Sequence, residues 1–183
     1  MGGTGARRVL APWRFARAGL VLAALSVLLS VPGSARDLGV GDGLDLQAAR
    51  SIIALTNAAR GKHSLPALSV DSLLTLSAER YAEAIAREEP FDHTDADGST
   101  FIDRTEAAGY LSWSFLGENL ATGIGPADPA AMLTAWMNSP GHRRNLLSTE
   151  LQEVGVGCYV RSVPNSRYWC VQEFGTKRQR AGL

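Results

Sequence analysis

Residues 154–174, VGVGCYVRSVPNSRYWCVQEF, decide the fold of this chain. The β-branched and aromatic residues of 154–160 and 167–174 predict two strands, and Pro164 with the two polar residues after it predicts a turn between them. A loop centred on Pro164 sets Cys158 opposite Cys170, where side chains on one face of a hairpin approach closely. The stretch therefore predicts an antiparallel hairpin that brings its two cysteines together.

Helical patterns precede this hairpin. Asp45, Asp71 and Asp128 each stand before a run of apolar residues at helical spacing, and aspartate in that position caps a helix. The pattern predicts helices over 45–60, from 72 to before Pro90, over 100–108 and over 129–138, with a strand over 110–122. Because helices come first and antiparallel strands mostly later, we predict an α+β fold rather than alternating βαβ units.

The N-terminal 35 residues have the pattern of a secretory signal peptide. Four arginines and no acidic residue lie in the first seventeen positions, an apolar run fills 18–31, and Gly33 and Ala35 precede a cleavage site after Ala35. The alternative is a retained membrane anchor, but a spanning helix needs about 20 apolar residues. The run has only 14. We therefore predict export.

Cleavage leaves one domain and a mildly acidic chain. The predicted parts are the signal peptide at 1–35, a flexible leader at 36–44, the domain at 45–176 and a basic tail at 177–183. The 148 residues after the cut hold 14 basic and 18 acidic side chains, a net charge of −4. This charge argues against nucleic acid as the main partner. No later segment is long and apolar enough to span a membrane.

Cys158 and Cys170 are the two cysteines of the chain, and both lie after the predicted cleavage site. An even pair in an oxidising compartment usually forms a disulfide. We therefore predict a cross-strand disulfide, with two free thiols as the alternative. A disulfide here leaves no thiol for catalysis.

Two of the three histidines, His93 and His142, stand in polar segments after helices, whereas His63 is expected at the surface. Two neutral imidazoles and a carboxylate are the ligand set of many catalytic zinc sites, and Glu118 could supply the carboxylate or act as general base. The alternative is that His93 and His142 are loop residues with unrelated hydrogen bonds. The spacing alone does not decide between these interpretations.

Other site motifs fit less well. Residues 93–98 are similar to the start of a calcium loop, but the position of the bidentate glutamate is Arg104. Residues 117–123 lack the Lys-Ser/Thr ending of a phosphate loop, and no Gly-x-Ser-x-Gly nucleophile motif is present. Ser139 could be a nucleophile only if His142 reached it, and Ser-Pro-Gly at 139–141 is better explained as a helix stop.

Seven short segments, taken in order, resemble the CAP superfamily, which comprises the cysteine-rich secretory, antigen 5 and pathogenesis-related proteins and is also called the SCP domain. The resemblance covers about residues 50–175 and is that of a bacterial member. The segments include LTNAAR at 55–60, FDH at 91–93 with DG at 97–98 and DR at 103–104, AGY at 108–110, GENLA at 117–121, WMNSPGHRRNLL at 136–147, VGVG at 154–157 and YWCVQEFG at 168–175.

The resemblance implies a three-layer α-β-α sandwich with a central antiparallel sheet and an open cleft. Two histidines and two acidic residues line that cleft in the family, and some members bind zinc or another divalent cation through the histidines. By position, His93 and His142 match the histidines and Glu118 the glutamate of Gly-Glu-Asn. Ser139 stands where many eukaryotic members have a second glutamate, so a two-carboxylate mechanism is not implied. We expect structural roles for four residues: Asn57, Arg60, Asn119 and Asn145.

The resemblance does not imply one reaction, because family members have been linked to binding of sterols and other lipids, protein interaction, defence against microbes and, in scattered cases, proteolysis. We expect a secreted or periplasmic binding or interaction module with a cation in the cleft. Its partner would be a small molecule, a lipid or an extracellular protein. The alternatives are a metal-dependent hydrolase of peptide or envelope polymers, with Glu118 as base, and a site that only stabilises the domain.

Overall fold

The computed structural model describes residues 8–9, 42–88, 90–162 and 165–178. The predicted signal peptide lies outside these residues except for 8–9, as do most of the predicted leader and the last five residues. No helix within the described ranges is long and apolar enough to cross a membrane. The elements in chain order are β1 (Arg8–Val9), β2 (Gly43–Leu44), α1 (Leu46–Lys62), β3 (Ser69–Val70), α2 (Ser72–Arg87), α3 (Phe101–Ala107), β4 (Trp113–Ile124), α4 (Pro129–Asn138), α5 (Pro140–Leu146), β5 (Glu153–Arg161) and β6 (Arg167–Lys177).

Three aspartates start the helices as predicted. The Asp45 carboxylate accepts a hydrogen bond from the first turn of α1, and Asp71 accepts two from the first turn of α2. Asp128 accepts two from α4, whose first residue is Pro129. Each carboxylate satisfies amide groups that have no partner within the helix, which fixes where the helix begins.

The sheet is built on the antiparallel strands β4, β6 and β5, in that order, with the two-residue strands β1 and β2 at its margins and β3 also paired with β5. Cys158 pairs directly with Cys170 in the β5–β6 ladder, and the two form a disulfide. The hairpin and the disulfide are thus both confirmed.

Helices cover both faces of the sheet, which confirms the three-layer α-β-α sandwich. Apolar side chains of α1, α4 and α5 pack with Val154, Val156 and Phe174 on one face. On the other face α2 packs against Leu120, Tyr159 and Val171.

Glycines in β5 let α2 approach closely. A Cβ atom at Gly155 would lie 2.1 Å from the backbone nitrogen of Thr75, and one at Gly157 would lie 2.3 Å from that of Glu79. Real Cβ atoms do not make such contacts with backbone, so this helix position requires glycine at both sites.

Three local expectations differ from the structure. Gly43–Leu44, expected in the flexible leader, form β2 against β5. Lys177, expected in the tail, ends β6, and its ammonium lies 2.6 Å from the Asp71 carboxylate. His142 lies within α5 rather than in a loop, because Pro140 takes the first position of a new helix after ending α4.

Candidate functional site

His93 follows the end of α2, and backbone contacts fix its place. The Tyr81 hydroxyl donates to the Asp92 carbonyl at 2.5 Å, and the Asp92 carboxylate accepts from the His93 amide at 2.6 Å. These contacts aim the imidazole at β4, where His93 Nδ1 lies 2.7 Å from Glu118 Oε1. The structure therefore brings together two of the residues that were predicted to share a site.

The Glu118 side chain is fully buried, and both of its oxygens are engaged. Oε1 contacts His93, and Oε2 accepts from Arg104 Nη2 at 2.9 Å. Arg104 also pairs with Asp95, and its guanidinium lies 3.3 Å from the ring centroid of Tyr81. This stacking, together with the ion pairs, holds a buried cation beside the Glu118 carboxylate.

His142 approaches from α5, on the opposite side of the sheet. Its carbonyl accepts from Asn119 Nδ2 at 3.4 Å, and its ring centroid lies 6.4 Å from that of Trp136. Burial, and then repulsion from the nearby His93, lowers the pKa of His142 to about 4. The ring is therefore neutral near pH 7, the form in which imidazole binds metals.

A buried amide network supports the α5 side of the site. Asn145 donates to the Glu118 carbonyl at 3.0 Å and to Asn119 Oδ1 at 2.9 Å. Asn119 donates to Gln172, which in turn donates to Thr56 on α1. The structural roles predicted for Asn119 and Asn145 are confirmed, and Gln172 and Thr56 extend the network across the core.

The other two predicted structural residues, Asn57 and Arg60, hold loops in place. Asn57 makes two hydrogen bonds with the backbone of Leu68. The buried Arg60 guanidinium donates to four carbonyls, those of Pro66, Leu146, Ser148 and Leu151. Arg60 thereby joins α1 to the segment between α5 and β5.

Ser139 lies at the start of α5, next to the site. Its hydroxyl oxygen is buried and has no hydrogen-bond partner among the described residues, and it does not cap the helix through its side chain. It is therefore not hydrogen-bonded to His142, the contact on which a nucleophilic role depended.

Arg104 and Glu173 were not predicted as site residues. Glu173 is fully buried and lies opposite Glu118 in the β4–β6 ladder. Extending the predicted hairpin to β4 would have placed Glu173 near Glu118, but the sequence alone did not give that register. Arg104 entered the sequence analysis as a misfit to a calcium loop and as part of a family segment, without a role in the site.

Among the described residues, no group of three or more His, Cys, Asp or Glu side chains is arranged to hold a metal ion. The Nδ1 contact of His93 leaves its Nε2 atom for a ligand, and Glu118 occupies the place of the carboxylate that orients a metal-binding histidine. A carboxylate in this position would favour the His93 tautomer whose Nε2 can bind a cation.

The sequence profile described as "CAP: Cysteine-rich secretory protein family" matches residues 53–174, about two thirds of the chain. The chain belongs to this family. Membership explains why the segments around His93, Glu118 and His142 occur in this order.

Bacterial proteins are among the relatives of this chain. The uncharacterised Bacillus subtilis protein YkwD is 35% identical over 113 residues, which are 62% of this chain and 42% of YkwD. This CAP chain therefore spans less than half of that relative's length.

Two solved structures share the fold. An extracellular SCP-domain protein from Bacillus anthracis has a TM-score of 0.61 at 28% identity, covering 73% of this chain and 41% of that chain. An outer surface protein from Borrelia burgdorferi has a TM-score of 0.65 at 24% identity, covering 75% of this chain and 99% of that chain.

Proposed function

We propose that this CAP protein acts outside the cytoplasm as a binding module whose cleft holds zinc or another divalent cation through His93 and His142. The observation that carries the proposal is the contact of His93 Nδ1 with the buried Glu118 carboxylate. A histidine that donates one ring N–H to a carboxylate is fixed in the tautomer whose other nitrogen can bind a metal. Such an ion would supply a Lewis-acidic contact for a ligand in the cleft.

The chemistry of His142 supports its part in this proposal. Its lowered pKa keeps the ring neutral above about pH 4, so protons compete little for it at physiological pH. Two histidines would leave further coordination positions for a bound ligand. Its class is a small molecule, a lipid or an extracellular protein.

The geometry favours binding over hydrolysis. A general base needs a carboxylate that can take a proton from water, but both Glu118 oxygens already contact His93 and Arg104. The hydrolase alternative therefore requires the Arg104 or His93 contact to open, and Ser139 lacks the contact with His142 that a nucleophile would need. This gives the hydrolase less support.

An extracytoplasmic location has three supports. Residues 1–35 have the composition of a signal peptide. One relative of known structure, from Bacillus anthracis, is described as extracellular. The disulfide between Cys158 and Cys170 also suits an oxidising compartment.

Elemental analysis and metal titration of the exported protein test the proposal. We expect the protein to retain a divalent cation or to bind Zn²⁺ in calorimetric titration. His93→Ala and His142→Ala should each lower the affinity at least about tenfold. The matched control is His63→Ala, since His63 is exposed at the end of α1. Unchanged affinity in both site variants would contradict the proposal.

A further inference from the structure

Glu173 is a second acidic residue next to Glu118, on the neighbouring strand. It pairs with Glu118 across β4 and β6, so both side chains point to the same face of the sheet. Both are buried, Glu173 completely. On its other side Glu173 pairs with Gly155, which has no side chain to offer a charge.

Arg104, the cation of this cluster, hydrogen-bonds to other carboxylates through its two Nη atoms, and its buried Nε has no hydrogen-bond partner among the described residues. Arg104 directs Nη1 to Asp95 and Nη2 to Glu118. Glu173 instead contacts two neutral hydroxyls, those of Ser77 on α2 and Thr105 on α3, each at 3.2 Å. Three carboxyl groups thus lie within the electrostatic influence of one guanidinium, and the most deeply buried of them has no direct ion pair among the described residues.

Burial and the lack of a paired cation determine which of the three carboxyl groups is protonated. An ionised carboxylate without a paired cation is strongly disfavoured in a protein interior. Burial, and then the charge of Glu118, raises the pKa of Glu173 well above its ordinary value, against the opposing effects of Arg104 and the two hydroxyls. A hydroxyl can accept as well as donate, so Ser77 and Thr105 suit a protonated acid equally.

We propose that Glu173 is a positioning residue held in its neutral acid form. Because a neutral Glu173 does not attract Arg104, the guanidinium stays paired with Glu118 and Asp95, and Glu118 stays in contact with His93. The inference deepens the proposed function, because Glu118 orients His93 there, but it needs no bound metal. Ionised Glu173 would compete with Glu118 for Arg104.

The direct test is a ¹³C NMR titration of the Glu173 carboxyl carbon in the exported protein, with chelator present. We expect its chemical shift to remain that of a protonated carboxyl group through the pH range in which exposed glutamates ionise. Ionisation of Glu173 in that ordinary range would overturn the proposal. The chelator makes the result independent of metal binding, so a failure of the proposed function would leave it unchanged.

Glu173→Gln gives a second test, because glutamine keeps the shape and is always neutral. At neutral pH the ¹⁵N chemical shifts of the His93 ring in Glu173→Gln should match those of wild type. Different chemical shifts would show that Glu173 is ionised in wild type and attracts Arg104 away from Glu118. Above the ordinary glutamate pKa, the folding equilibrium constant of wild type should fall relative to Glu173→Gln by about tenfold per pH unit, until Glu173 ionises in the folded state. A ratio that is constant or rises with pH would contradict the proposal, and should the variant not fold, the wild-type titration decides.

Discussion

The imidazole of His93 lies 2.7 Å from the carboxylate of Glu118, a residue 25 positions later in the chain. Glu118 belongs to the long strand β4 and is buried, whereas His93 belongs to the segment that follows α2. The contact therefore fixes a loop residue by a residue of the rigid sheet, and the orientation of His93 depends on the charge of Glu118.

Glu118→Gln should weaken metal binding without unfolding the protein. An amide cannot favour the required His93 tautomer as a carboxylate does, so we expect the affinity for Zn²⁺ to fall roughly 10- to 100-fold. Calorimetric titration measures this. Glu150→Gln is the control, since Glu150 is exposed before β5. Equal affinities of wild type and Glu118→Gln would show that Glu118 does not orient a metal ligand.

Arg60→Lys should destabilise the fold. A lysine ammonium lacks the planar donor set that reaches four carbonyls, so buried acceptors lose their partners. We expect a loss of about 3 kcal/mol in the free energy of unfolding, measured by urea denaturation. Arg50→Lys, at an exposed position of the same helix, should change it little. Similar losses in the two variants would exclude a special role for Arg60.

Gly157→Ala should also destabilise, because its Cβ would meet the backbone of α2 at 2.3 Å. Overpacking of this kind should cost about 3 kcal/mol in unfolding free energy. Gly61→Ala, with nothing near the added atom, should instead stabilise α1 by about 0.5–1 kcal/mol. Thermal unfolding of both variants checks the opposite signs, and a stable Gly157→Ala protein would argue against the close approach of α2.

The neutral state of His142 predicts an acid-sensitive stability. Folding lowers the pKa of His142 from 6.5 to about 4. Between these two pH values His142 is therefore protonated in the unfolded chain but neutral in the folded protein. This contribution is complete above pH 6.5 and is lost as pH falls towards about 4. Urea denaturation across this window should show a shallower pH slope for His142→Gln than for wild type. Identical slopes would mean that His142 titrates normally in the folded protein.

Loss of the disulfide should lower stability without removing the hairpin. Cys158 and Cys170 are separated by 12 positions, and cross-linking a loop of this size stabilises by about 3 kcal/mol. The double variant Cys158→Ala/Cys170→Ala should therefore unfold at lower urea concentration than the oxidised protein. A thiol assay without reductant should find no titratable thiol in wild type.

The sequence was sufficient where local chemistry determines structure. The capping aspartates fixed the starts of α1, α2 and α4, and the loop centred on Pro164 predicted the register that pairs Cys158 with Cys170. The family resemblance supplied the three-layer arrangement. His93 and Glu118 were then found in contact, as their positions in the family pattern suggested.

The charged residues beneath the site could not be predicted in the same way. Arg104 lies on α3 and Glu173 on β6, and only the packed fold brings them to Glu118. Nor could the sequence show that both oxygens of Glu118 are occupied, one by His93 and the other by Arg104. These features depend on long-range packing and on which of the nearby carboxylates forms an ion pair with Arg104.

Adjacent residues of β4 serve opposite sides of the sheet. Glu118 contacts His93 on the side covered by α2, and Asn119 holds the carbonyl of His142 on the side covered by α1 and α5. A ligand bound by both His93 and His142 would contact segments that pack on both faces of the sheet. Binding of such a ligand would restrict movement of one helical layer relative to the other, because that movement would separate His93 or His142 from the ligand.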